Sequence, residues 1–297
     1  MSEPRDHHYL PLFYLEKWCG SDGKVCRFSR PHAGRFAAER VFPKGTAYER
    51  DLYSLPGLEP NRAQAIEKRF LAPVDSDAAI ALRLLESDPK DCEWTSKLRN
   101  AWTRFLMTLF LRSPQDVKQI KISVAEEWAK LVDPEIVSTQ TGIPAEKIRS
   151  MRLNSPEETG RHAMAILQSL MDHPSVGQVI NNMTWSCVQI PSEARSLLTS
   201  DRPIWDTVTL AEPDAVICMP IGPKRLFVAR ASRYIQLRST KDLAKGANKL
   251  VVRNARKYVF GTDDKQAEFV AKHFGSAPNL SMLQRVARRQ KNTVLES

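Results

Sequence analysis

Two of the chain's six histidines, His7 and His8, stand side by side, followed by Tyr9, Pro11 and Tyr14-Leu15. Histidine is the side chain that most readily ligates a metal or moves a proton near neutral pH. On a strand the two imidazoles point to opposite faces, so one of them enters any given site; in a loop or helix start both converge. Far along the chain, Thr199-Ser200-Asp201-Arg202-Pro203 follows apolar Leu197-Leu198 at what reads as a strand end. Asp201 there is placed as a metal ligand or general base, against the routine use of aspartate to shape a turn.

Two more carboxylates join this inventory. Asp51 lies in Glu49-Arg50-Asp51 with Tyr53 on the same strand face, either at a cation or on a solvated edge. Glu67 falls within the stripe Ala63, Glu67, Phe70, Val74, where a carboxylate needs a metal, a histidine or Arg112 unless it sits at the stripe's wet edge. Arg112 itself continues the stripe Leu98, Trp102, Phe105, Leu109 at a helix end. A guanidinium on that face needs the helix's own terminal carbonyls, a carboxylate such as Glu67 or Asp201, or a phosphate. The chemistry this set allows is metal-assisted phosphodiester hydrolysis. His7, His8, Asp51, Glu67 and Asp201 would hold Mg²⁺ or Mn²⁺ or position a water. Asp201 and His8 would carry the acid–base work, and Arg112 would steady the phosphate.

The elements that must position these residues follow from periodicity and breakers. Pro11 to Cys19 reads as a short helix, and Val25–Ser29, Ala38–Phe42 and Asp51–Leu55 as strands. Helices are expected over 61–71 and 75–85, with Pro73 as a kink or break, then over 92–112, 117–132, 146–151 and 157–171. Strands return at 184–190, 196–199, 216–220 and 226–229, and helices at 240–258, 264–274 and 279–289. The pattern is α+β, with a mixed or antiparallel sheet formed by N- and C-terminal strands around a helical middle. One domain over 1–297 is expected: a β-rich start at 7–58, a helical insert at 59–175, strands plus a basic helix at 184–260 and C-terminal helices at 261–297.

The formal net charge is +10, which favours polyanionic partners. From Lys224 to Lys257 the one acid is Asp242, and Lys241, Lys245, Lys249 and Arg253 recur every four residues. This stripe, with Leu243, Ala247, Leu250 and Val251 expected opposite, is the nucleic-acid footprint of the sequence; Arg285, Arg288, Arg289 and Lys291 extend it. The bland alternative is a solvated face tuned for solubility. Five scattered cysteines without a CxxC pair read as reduced thiols. A polar N-terminus and the lack of a long apolar run lead to the expectation of a cytoplasmic protein off the membrane.

The residues also resemble a bacterial family known as domain of unknown function 4238. Its loose pattern runs HHYxPxxYL, ERDxY, a helical Glu, RTP at a helix end, TSDxP, PLxP and Asn before a final Arg-Tyr-Val. Here these fall on 7–15, 49–53, Glu67, 112–114, 199–203, 219–223 and 254–260, with Ser113 in place of Thr and Ile221-Gly222 in place of Leu-Ser. The resemblance implies one domain and names residues, with no reaction attached. Three functions remain open: the metal-dependent nuclease, a non-catalytic nucleic-acid-binding or sensing protein whose polar set braces the fold, and an interaction module of a bacterial defence or toxin system.

Overall fold

The computed structural model describes residues 5–32, 34–87, 94–131, 133–150, 156–206, 210, 212–232, 239–280 and 284–285. Strand β1 (Asp6–His8) leads through Pro11 into helix α1 (Leu12–Leu15) and a 3₁₀ turn (Glu16–Trp18). Strands β2 (Val25–His32) and β3 (Arg35–Val41) form a hairpin, and β4 (Tyr48–Arg50) returns to pair with β1. The helical middle runs through α2 (Pro60–Ala63), a π-helical turn (Glu67–Leu71), α3 (Ala72–Glu86), α4 (Ser96–Leu111), α5 (Pro114–Leu131), α6 (Pro134–Thr141), α7 (Ala145–Ser150), α8 (Pro156–Met171) and α9 (Pro174–Asn182). Then follow β5 (Thr184–Gln189), β6 (Thr199–Ser200), β7 (Trp205–Asp206), β8 (Val216–Gly222), β9 (Arg225–Arg230), α10 (Thr240–Asn254), β10 (Val259–Gly261) and α11 (Ala267–His273).

The fold is α+β, and among the described residues every strand pairing is antiparallel. The N- and C-terminal strands do share a sheet, ordered β3-β2-β10-β6. Two further sheets accompany it: β5-β9-β8-β7 and the short β1-β4 pair. The strand expected at Asp51–Leu55 is instead a turn, and the strand lies just before it at Tyr48–Arg50. Asp51 takes φ 56°, a left-handed conformation that ends strand pairing and that aspartate tolerates better than most residues. Pro73 does not break the chain into two helices. It sits in the first turn of α3, where its missing N–H costs little, and the π turn before it takes up the change of register.

Helix α4 is the centre of the core. Thr95 caps it by accepting from the Leu98 amide, and Trp102, Phe105 and Leu109 are buried as their spacing requires. Trp102 packs edge-on to Phe227 of β9 at 5.7 Å, joining the helical middle to the C-terminal sheet. Tyr14, fully buried on α1, extends the junction: its hydroxyl lies 2.6 Å from Thr199 Oγ1 and donates to the Pro220 carbonyl at 2.9 Å. Trp18 Nε1 donates to the Leu197 carbonyl at 2.8 Å. The first helix is thus fixed to β6 and β8 by polar bonds inside an apolar cluster that runs from Tyr9 to Phe260. Replacing Tyr14 by Phe leaves both partners without that hydroxyl, so Y14F should lower the unfolding free energy by about 1–3 kcal/mol in urea titrations. An unchanged midpoint would contradict this role.

Candidate functional site

The pairing of His7 with Glu49 and His8 with Tyr48 makes the histidine pair a true strand, and its two imidazoles part company. His7 is fully buried. Its Nδ1 accepts from the Tyr53 amide at 3.0 Å, and its ring stacks on Tyr53 with centroids 5.6 Å apart. His8 turns the other way, against the Tyr48 ring. Burial holds the His8 pKa below its ordinary value, opposed by a hydrogen bond to the Lys44 backbone and by Asp6 and Asp75. Among the described residues its buried Nε2 has no hydrogen-bond partner.

Arg112 ends α4 with a side chain 1% exposed, and its partner is neither Glu67 nor Asp201 but Asp75 of α3. The pair is two-pronged, at 2.8 and 3.1 Å. The Arg112 carbonyl in turn accepts the Tyr53 hydroxyl at 2.8 Å. His7, Tyr53, Arg112 and Asp75 therefore form one relay linking β1, the turn after β4, α4 and α3. Glu67 faces this relay from the π turn, and its buried Oε2 has no hydrogen-bond partner among the described residues. Burial pushes its carboxyl up to about 7, with Arg112 pulling it down and Asp75 pushing it up. Asp75 also lies above its ordinary value through burial, against the pull of Arg112.

The other two carboxylates are fully engaged elsewhere. Asp51 meets Arg5, which holds it down at about 2, and lies 3.2 Å from the Ser54 hydroxyl and 3.4 Å from the Gln64 amide. Asp201 accepts backbone amides: Arg256 at 2.9 Å and Lys257 at 2.6 Å. Burial raises its pKa and those amides counter the rise. Asp201 thereby holds the exit of α10 onto β10. The next residue, Arg202, reaches Asp116 at 3.1 Å and the Leu280 carbonyl at 2.7 Å. Of the expected five-residue metal set (His7, His8, Asp51, Glu67, Asp201), His7, Asp51 and Asp201 hold separate hydrogen-bonding partners. Among the described residues no three His, Cys, Asp or Glu side chains form a group that could hold a metal ion.

Distance along the chain is nevertheless overcome. Tyr9, whose buried hydroxyl has no hydrogen-bond partner among the described residues, lies within electrostatic range of Asp201, Tyr258, Glu49 and Tyr53. Tyr53 in turn feels Arg112, Glu67, Asp75 and Glu49. Asp75 escaped the sequence reading because it flanks the 63-67-70-74 stripe; its spacing of eight from Glu67, about two helical turns, was the available signal.

The basic stripe is a surface. Lys245 and Lys249 are exposed and Arg253 is half-buried on α10, while the side chain of Lys241 lies outside the described residues. The packed face differs from the expected one. Ala244, Ala247, Asn248, Val251 and Val252 are buried, and Leu250 is 39% exposed, because 3.6 residues per turn carry it away from them. Asn248 clamps the helix, accepting from the Leu198 amide at 2.8 Å and donating to the Ser196 carbonyl at 2.9 Å. Arg288, Arg289 and Lys291 lie outside the described residues. Cys19, Cys26, Cys187 and Cys218 are free thiols. Among the described residues no helix is long and apolar enough to cross a membrane.

A family model described as "Protein of unknown function (DUF4238)" matches residues 6–265, and the chain belongs to that family. No curated protein and no solved structure matches it.

The buried carboxyl gives the site a measurable signature. A folded-state pKa raised from 4.5 to about 7 means the native protein holds the Glu67 proton more tightly than the unfolded chain. That contribution is fully present below about 4.5, declines as pH rises and is gone above about 7. E67Q should flatten this slope and be the more stable form by up to about 3 kcal/mol at alkaline pH, read from urea midpoints across the range. Parallel pH profiles for the two proteins would refute it.

Proposed function

We propose that the protein binds nucleic acid through its phosphate backbone, along the exposed face of α10 and the adjoining part of α11. The observation that carries this reading is the concentration of cations around His273. Partial burial, then Lys249, Lys272 and Arg253, hold that imidazole below its ordinary pKa, so three positive side chains act on one point of the surface. The acid on α10, Asp242, is occupied at the helix start with the Ser239 hydroxyl. A stripe of this kind with a net charge of +10 supplies sequence-independent grip, each phosphate contact releasing counterions. The buried polar relay then serves as the internal brace that fixes the strands and helices behind that face.

Phosphodiester cleavage with Mg²⁺ or Mn²⁺ is the second reading, and its support is Glu67. A buried carboxyl pushed up to about 7 suits proton transfer at neutral pH. Asp201 and Asp51 take no part in it, since their oxygens are engaged by backbone amides and by Arg5.

One titration separates the readings. Binding of labelled DNA and RNA should weaken with salt, and K249E/R253E should lower affinity and flatten the log–log salt slope by roughly 2. The same mixtures run on a denaturing gel with either metal should show intact strands. Salt-independent affinity unaffected by K249E/R253E would overturn the binding reading; strand cleavage abolished by E67Q would establish the second.

A further inference from the structure

Beside the basic stripe lies a cleft of about 460 Å³ between the segment 192–196, Lys224 and the stretch 263–269. Its size falls in the ~300–1,000 Å³ range of small-ligand sites. We infer that this cleft receives one unstacked base of a single-stranded nucleic acid, with the Phe269 ring as its platform. The inference rests on the proposed backbone binding and adds the class of strand.

The walls are fixed in advance. Gln266 Nε2 donates to the Ser196 carbonyl at 2.8 Å, and its Oε1 accepts from Asn248 at 3.1 Å, so the cleft is built onto the clamp that seats α10. Lys224 Nζ donates to the carbonyls of Ala194 at 2.7 Å and of Pro191 and Ser192 at 3.2 Å. That ammonium shapes the loop instead of presenting a bare charge. The remaining lining charges balance: Arg195 and Lys265 against Asp263 and Glu268, with Lys265 and Asp263 paired at 3.3 Å. Such a lining suits a neutral heterocycle with donors and acceptors on its edge better than a phosphate.

Phe269 supplies the flat surface. Its ring is half-buried, packed on the apolar cluster of Phe28 and Val252, and lies 4.9 Å from the His273 ring with the two planes 61° apart. His273, one turn further along α11, is the residue on which Lys249, Arg253 and Lys272 act. Phe269 lines the cleft and its ring lies 4.9 Å from that of His273, so the cations that act on His273 neighbour this wall of the cleft. Stacking on an aromatic ring tolerates any base, whereas a duplex keeps its bases paired and out of reach.

The test uses the full chain with a labelled single strand of about 12 nucleotides and the duplex of the same sequence. Wild type should prefer the single strand. F269A should lose about tenfold on the single strand and little on the duplex. F269L, which keeps apolar volume against the core, should lose the same preference, and F269W should retain it. A 2-aminopurine in the strand should be quenched by wild type and F269W but not by F269L. K249E should weaken both substrates alike. If Phe269 variants bind both substrates as wild type does while K249E weakens both, the base cleft is wrong and backbone binding stands. If K249E changes neither, or wild type binds neither, both fall.

Discussion

A guanidinium buried to 1% exposure is the constraint around which the chain's motifs are arranged. Removed from water, Arg112 can neither shed its charge nor leave it unmatched, so a carboxylate must be brought to it. Asp75 fills that role with both oxygens, which fixes α3 against the end of α4. The Arg112 carbonyl then takes the Tyr53 hydroxyl, and the Tyr53 amide meets His7. Through this relay a helix end, a turn and the first strand share one geometry. Without it the β1–β4 pair, three residues a side, would be a marginal two-stranded sheet.

The same economy governs the second motif cluster. Asp201 collects the amides that follow α10, Arg202 reaches back to Asp116 at the start of α5, and the Thr199 hydroxyl donates to that of Tyr14. The side chains of Thr199, Ser200, Asp201 and Arg202 all make hydrogen bonds within the fold: Ser200 Oγ accepts from the Arg202 amide at 3.2 Å. Inside, charges are matched and positional. Outside, on α10 and α11, Lys249, Lys272 and Arg253 act together on His273, the face proposed to meet a polyanion. Glu67 is the exception on the inner side, a carboxyl in electrostatic contact with the relay but without a hydrogen bond at its Oε2 among the described residues.

Much of this was legible in the sequence because it depends on local periodicity. The 98-102-105-109 stripe located α4 and put Arg112 on its buried face, and the four-residue cation spacing located the exposed face of α10. The α+β class also followed from the order of elements; that order did not dictate the sheet shared by N- and C-terminal strands, and the remaining strands form two sheets of their own. The partners of the charges did not follow. Glu67 and Asp201 were the carboxylates in view for Arg112, yet partner choice is settled by helix packing, which brought Asp75 instead. The π turn at Glu67–Leu71 inserts an offset that a 3.6-residue template cannot show. Asn248, a polar residue at a buried helical position, reads as a break in an apolar stripe, and its three hydrogen bonds exist only once the segment before β6 and the residue that starts α11 are in place.

The claim that the motif residues brace the fold while the exposed cations bind is tested most directly at Asp75. D75N keeps the shape and removes the charge, leaving buried Arg112 without its ion-pair partner and with Glu67 as a carboxyl in electrostatic range. The unfolding free energy should drop by about 3–5 kcal/mol, while the folded fraction binds nucleic acid with unchanged affinity. Retained stability with affinity or strand cleavage lost would contradict the account and make the relay itself the working site.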